Sequence, residues 1–214
     1  LKDRETTEAL AASRLETLRK FVTTSLKCQI VRVVSDRGEH VPATRDLLLQ
    51  ELEQLSKQLK PQHHLFLYLD IAGMVGSDQS RVDLRDFRQA LSKFKPNVYV
   101  WLVMDFHNSA DYIRGTFPIH YAFDTTKKRL KVDYQPCDFR CEATVFCISR
   151  RDSKESSVSK CGLFTGLQSV MSDARNRLTI FESVKRLTAN ITSTEPVFSC
   201  NKPNNIKKSF IGFG

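Results

Sequence analysis

Two apolar runs of one design constrain this 214-residue chain more than any other feature: "HLFLYLD" at 64–70 and "NVYVWLVMDF" at 97–106. Each is almost free of polar residues until it reaches an acid, Asp70 in the first and Asp105 in the second. Runs this short and this apolar read as strands covered on both faces, as parallel strands are when helices pack above and below them. The intervening "VDLRDFRQALSKF" (82–94) is an amphipathic helix with Asp83 near its start. Strand, helix and strand in that order predict a parallel pair.

The rest of the chain extends the pattern. Residues 4–26 read as a helix, with Ala9, Leu10, Leu15, Leu18 and Phe21 near a helical repeat. "CQIVRVVSD" (28–36) reads as a strand ended by the turn "DRGE". Residues 42–61 form the clearest helix: Thr44 is placed to cap it, Leu47, Leu48, Leu52, Leu55 and Leu59 make the buried stripe, and Pro61 ends it. Residues 107–142 are irregular and basic, with a hairpin around 120–134. "EATVFCIS" (142–149) is a strand, 162–174 and 179–191 are helices, and a short polar tail follows. The expected fold is a three-layer α/β domain with a mostly parallel central sheet and helices on both faces. It spans residues 1–201 and precedes a basic tail at 202–214. In such sheets function gathers at the carboxyl ends of the strands, which here means 70–76 and 105–110.

Composition narrows the class. The chain is 41% hydrophobic and 27% charged, and no apolar run approaches the roughly 20 residues of a membrane-spanning helix. A net charge of +9 favours an anionic partner, RNA or an acidic protein face. The candidate contacts are Lys127, Lys128, Arg129, Lys131, Lys207 and Lys208. Scattered charges of this kind also serve simply as solvated loops, and no aromatic-interleaved RNA-binding motif accompanies them. Of six cysteines, the only close pair is Cys137-x3-Cys141, with no second pair or nearby His to complete a zinc site. This usage predicts free thiols in a reducing intracellular compartment, the cytoplasm or the mitochondrial matrix.

In their order these elements resemble the caspase-like domain of metacaspases. "PATRDLLLQELEQLSKQLKPQHHLFLYLDIAG" resembles a Thr-led helix, a Pro-containing turn and a strand ending in Ser-Gly-His-Gly. "VYVWLVMDFHNSADYIRGTFPIHYAF" is similar to the strand ending in Asp-Cys-Cys-His-Ser-Gly and the Leu-Pro-Tyr segment after it. "ATVFCISRRDSKESS" with "KCGLFTGLQSVM" resembles the family's next strand, its Asp-Asp-Gln-Thr-Ser loop and its Gly-x-Phe-Thr helix. "TEPVFSCN" (194–201) resembles the Gln-x-Pro-x-x-Ser segment near the family's end. The resemblance covers most of residues 10–201 and places the family's first strand before residue 1.

Proteolysis in that family requires a thiolate nucleophile and an imidazole, delivered from adjacent strand ends. Laid on the family pattern, Asp70 takes the Ser position, Ile71 and Gly73 the two Gly positions, and Ala72 that of the His. At the second strand Asp105 matches the Asp, Phe106 the first Cys, His107 the nucleophilic Cys, Asn108 the His, Ser109 the Ser and Ala110 the Gly. Both catalytic positions are replaced. His63 and His64 lie at the opposite end of their strand, ~20 Å from where an imidazole would act. Cys147 sits inside an apolar strand and is expected to be inert.

The resemblance implies that Asp105, with Asp70 beside it, lines a vestigial pocket for a basic side chain. The alternative for Asp105 is a turn cap or a partner for a nearby cation. His107, Ser109 and Asp111 read either as an improvised site or as a polar strand-to-helix turn. Carboxylate-bound calcium is not expected, because "TTKKRLK" makes the 107–160 stretch basic. No metal and no cofactor is expected. The leading expectation is a pseudopeptidase kept as a scaffold, structural or regulatory subunit among protein partners. The alternatives are a protein of a ribonucleoprotein such as a mitochondrial ribosome, and a hydrolase with a rearranged site built from His107, Ser109 and Asp70.

Overall fold

The computed structural model describes residues 13, 15–24, 28, 44–70, 82–106, 108–124, 126–152, 163, 166–167, 180–190 and 194–202. The chain divides into two compact units, Leu1–Thr44 with Phe213–Gly214, and Arg45–Gly212. In the first unit residues 15–24 are helical, as the periodicity predicts, and Val22 is buried. Its carbonyl accepts a hydrogen bond from the Cys28 N–H at 2.9 Å. The strand expected at 28–36 lies outside the described residues, except for Cys28.

The second unit runs α1 (Arg45–Gln58), β1 (His64–Leu69), α2 (Leu84–Ser92), β2 (Tyr99–Met104), α3 (Ser109–Tyr112), β3 (Ile119–Asp124), β4 (Arg129–Tyr134), β5 (Thr144–Asp152), α4 (Ile180–Asn190) and β6 (Thr194–Cys200). Residues 163, 166 and 167 are helical as well. The six strands form one sheet in the order β1-β2-β5-β6-β3-β4. β1, β2 and β5 are mutually parallel, with His64 opposite Tyr99 and Tyr99 opposite Thr144. β6 is antiparallel to β5 and β3, and β4 is antiparallel to β3. Four of the six strands, β1, β2, β5 and β3, therefore point the same way, and the antiparallel ladders collect at one side of the sheet.

The period of two decides which side chains meet which helices. On one face Val100, Leu102, Met104, Val145 and Cys147 pack with Leu52 of α1 and Phe87 and Leu91 of α2. α1 adds Leu48, Leu49 and Leu55 from its apolar stripe. Asp83 caps α2, its carboxylate accepting the Arg85 N–H at 2.7 Å, which satisfies one of the orphan donors of the first turn. Arg45 and Asp86 join the two helices at 2.5 Å. On the other face Trp101, Val103, Phe146 and Ile148 pack with Leu167. α4 packs on β3 and β6, and its Leu187 is fully buried. Helices thus lie on both faces of the sheet.

β6 is a strand that the sequence analysis does not predict. It is a strand because β3 pairs only with Phe198, Ser199 and Cys200. Pro196 lies beyond the last of these pairs, where the imino nitrogen removes no ladder bond to β3. Asn201 then pins the end of β6 beside β5. Its side-chain amide donates to the carbonyls of Cys141 (3.1 Å) and Ala143 (2.8 Å) and its oxygen accepts the Val145 N–H at 2.8 Å.

Leu102→Ala in the most buried strand is expected to cost about 2–5 kcal/mol, read as a lower urea midpoint at unchanged slope. A second expectation concerns His64. Its ring stacks on Tyr99 at 4.9 Å, and its Nδ1 accepts the Trp101 indole N–H at 3.2 Å. Burial, and then the neighbouring His63, hold its pKa below the ordinary value. The folded state thus favours the neutral ring, so stability is complete above the unfolded-state pKa and is lost as pH falls through it toward the folded value. Urea midpoints at pH 7.5 and 5.5 should differ less in His64→Gln than in the parent chain.

Candidate functional site

The site is built at the carboxyl ends of β1, β2 and β5, where side chains leave the sheet. Asp105 follows the last residue of β2, and its N–H donates to the Leu69 carbonyl of β1 at 2.8 Å. Its side chain is 1% exposed. Burying a carboxylate there requires donors, and three elements supply them. The Tyr68 hydroxyl of β1 donates to Oδ2 at 2.7 Å. The Leu163 N–H donates to Oδ1 at 2.8 Å, and Arg150 of β5 reaches Oδ1 through Nη1 at 3.4 Å. The Arg150 side chain is 12% exposed, and its Nε also donates to the Phe106 carbonyl at 3.2 Å.

Ser109 closes the network. It is fully buried, its hydroxyl donates to the Met104 carbonyl at 2.6 Å, and its oxygen accepts the Arg150 N–H at 2.9 Å. The turn that delivers it is tight: Asn108 stands in the left-handed region at φ 51°, a conformation Asn tolerates better than most residues. Phe106 packs edge-on against Tyr112 at 5.6 Å, and the Tyr112 hydroxyl donates to the Val82 carbonyl at 2.8 Å. The short α3 is therefore held over the end of the sheet.

Of the residues singled out from sequence, those that are described fall in distinct places. Asp105 pairs with Arg150 of its own chain. Asp70 stands at the exposed end of β1. Ala72 and His107, the positions that match the family's His and Cys, lie outside the described residues. Of the rearranged-site residues, Ser109 is buried and its hydroxyl is engaged on both sides by main-chain groups, which weighs against it as a nucleophile. Asp111 lies exposed in α3. Lys127 and Lys128 are exposed in the β3–β4 turn, where the Asp124 carboxylate accepts the Lys127 N–H at 2.9 Å, and Arg129 and Lys131 are exposed on β4. Lys207 and Lys208 lie outside the described residues.

The thiols are quiet. Cys28, Cys137, Cys141, Cys147 and Cys200 are all free. Burial raises the Cys147 pKa well above the ordinary thiol range, and it pushes Cys200 up to about 11. Neither is a thiolate near neutrality, so neither offers a ready nucleophile. Among the described residues no cluster of three His, Cys, Asp or Glu is arranged to hold a metal ion.

Sequence reasoning missed Tyr68, Arg150 and the Leu163 N–H as partners of Asp105. One signal was present: the hydroxyl of a tyrosine near the end of an apolar run needs a partner when buried. Another polar feature was also missed. Ser199 and His120 face each other across β6 and β3, and His120 Nε2 is buried without a hydrogen-bond partner among the described residues.

Asp105→Ala removes the acceptor from three donors and strands Arg150. It should cost about 3–5 kcal/mol, whereas Tyr68→Phe should cost about 1 kcal/mol. Equilibrium unfolding of the single variants and of the Asp105→Ala/Arg150→Met double variant checks this. The double variant should be more stable than Asp105→Ala alone.

No protein-family model matches the chain, and no curated protein matches it. Among solved structures, the crystal structure of protein GSU0716 from Geobacter sulfurreducens is similar at a TM-score of 0.52 and 15% identity, covering 80% of this chain and 78% of that one. A likeness at that identity concerns the backbone alone, and what this chain shares with GSU0716 is its mixed α/β fold.

Proposed function

We propose that this is a metacaspase-like pseudopeptidase domain, retained as a structural, scaffolding or regulatory subunit of a larger assembly. One observation carries the reading. At the strand ends where the family pattern calls for an imidazole and a thiol, the sequence has Ala72 and His107, and the acid between those positions is tied to Arg150 of its own chain. An acid held by an internal cation serves as a frame for the sheet end. The free thiols fit a reducing compartment, the cytoplasm or the mitochondrial matrix. Among the described residues no helix is long and apolar enough to cross a membrane.

The test is turnover of reporter peptides with Arg or Lys before the scissile bond, with and without calcium. No turnover above background is expected. Calcium-stimulated cleavage abolished by one substitution, at His107 or Ser109 for instance, would overturn the proposal in favour of a rearranged hydrolase.

A second reading, a protein of a ribonucleoprotein such as a mitochondrial ribosome, draws on the exposed basic turn at Lys127 and Lys128 and on the charge of +9. It expects RNA affinity that falls steeply between low and physiological salt, because each phosphate contact releases counterions. Salt-insensitive association, or co-purification with an assembly free of RNA, would count against it.

A further inference from the structure

β4 is the last strand of the sheet, and among the described residues nothing pairs with its outer edge. The ladder to β3 fixes which groups that edge offers. The Gln135 N–H donates to the Pro118 carbonyl opposite it at 2.8 Å. Bonded and non-bonded pairs alternate along an antiparallel ladder, so Asp133, Lys131 and Arg129 turn their backbone groups inward to β3. Leu130, Val132 and Tyr134 turn theirs outward. The side chains sort in the same way. Arg129, Lys131 and Asp133 stand exposed on one face. Among the described residues none of the three has an ion-pair partner. Leu130 and Val132 are half-buried on the other face, beside Tyr134, which is 68% exposed. One face of β4 thus carries cations and an acid two residues apart, and the other an open aromatic ring next to two aliphatic side chains.

From this we infer that the β4 edge is a homodimer interface, at which a second copy of the chain adds its own β4 antiparallel and joins the two sheets into one. The register selects this occupant. Outward-facing residues must meet outward-facing residues, so the two-fold axis passes through a residue of β4 and never between two. An axis through Arg129, Lys131 or Asp133 sets two like charges against each other, and one through Leu130 sets Arg129 against Lys131. An axis through Tyr134 runs the ladder into Pro136, which has no N–H to give. An axis through Val132 places Lys131 of each copy opposite Asp133 of the other, with Arg129 diagonal to the same carboxylate and within reach of it. On the other face it places Leu130 of each copy opposite Tyr134 of the other, and the two Val132 side chains against each other. Ladder, charge and apolar contacts are satisfied in that one register, and each off-axis pair occurs twice because the interface is isologous. Positive side chains on an edge strand ordinarily guard against self-association, and Asp133 lifts that guard in this register. A foreign strand would have to supply an acid, a cation and an aromatic ring at the spacing a second copy already carries. RNA fits less well, because Asp133 shares the cationic face and Tyr134 lies on the other. An edge of six residues falls short of the about 800 Å² per partner of a standard interface, so the dimer is weak and reversible. The inference does not depend on the reading of the strand ends, and self-association and turnover are measured separately.

The experiment is sedimentation equilibrium of the full chain over a concentration series reaching about 300 μM, where a weak dimer is populated. A reversible monomer–dimer equilibrium is expected. Val132→Pro removes the outward N–H on the axis without removing a bond to β3 and should weaken dimerisation at least about tenfold. Lys131→Asp and Asp133→Lys each set like charges opposite one another and should weaken it similarly. Mixed in equal amounts, those two single variants are complementary and should associate again, as should a chain carrying both substitutions. A variant that failed to fold would not be rescued by mixing, so the mixture separates a lost contact from a lost fold. Three results would each overturn the inference: a monomer at every concentration, a dimer indifferent to Val132→Pro or to the charge variants, or charge variants that stay monomeric when mixed. The first would leave the edge to a strand of another sequence, and the second would place self-association on another surface.

Discussion

The buried carboxylate of Asp105 is the interaction on which one end of this sheet depends. A strand that terminates in an acid beneath a packed layer must find donors or leave the interior. Asp105 finds them on β1, on β5 and at Leu163, so one side chain joins three parts of the chain distant in sequence. Ser109 repeats the arrangement on a smaller scale, bridging the end of β2 to β5. Ion pairs of this kind are weak evidence for net stability but costly to break, because the surviving partner is left buried and charged. Their consequence is geometric: the ends of the parallel strands are locked in register, and the short α3 is held above them.

The two halves of the sheet meet different physical demands. β1, β2 and β5 are parallel and joined through crossovers, and β2 and the first half of β5 are apolar in both parities, as strands covered by helices are. β6, β3 and β4 form antiparallel ladders, and β4 alternates exposed charge with half-buried apolar residues. In the parallel half Asp105 pairs with Arg150, and Ser109 bonds to backbone groups. The antiparallel half ends in β4, whose outer edge pairs with no strand among the described residues.

Much of the fold was legible because its signals are local. The apolar runs at 64–70 and 97–106, Asp83 as a cap, the leucine stripe of α1 and the hairpin near 120–134 all follow from periodicity and capping within a few residues. β6 escaped that reading because Pro196 argues against a strand unless the extent of pairing with β3 is known. The partner of Asp105 escaped it for a related reason. Arg150 is 45 residues away, one of many arginines and lysines in a basic chain, and no spacing rule singles it out.

By itself, then, the sequence determined the alternation of helix and strand and the acid at each strand end. Those are properties of neighbouring residues and of residue identity. Only the tertiary structure decided that Asp105 meets Arg150, that Ser109 bonds to backbone groups, and that β4 is the outer strand of the described sheet. Each depends on which strands lie side by side, and strand order is fixed by the packing of the whole unit.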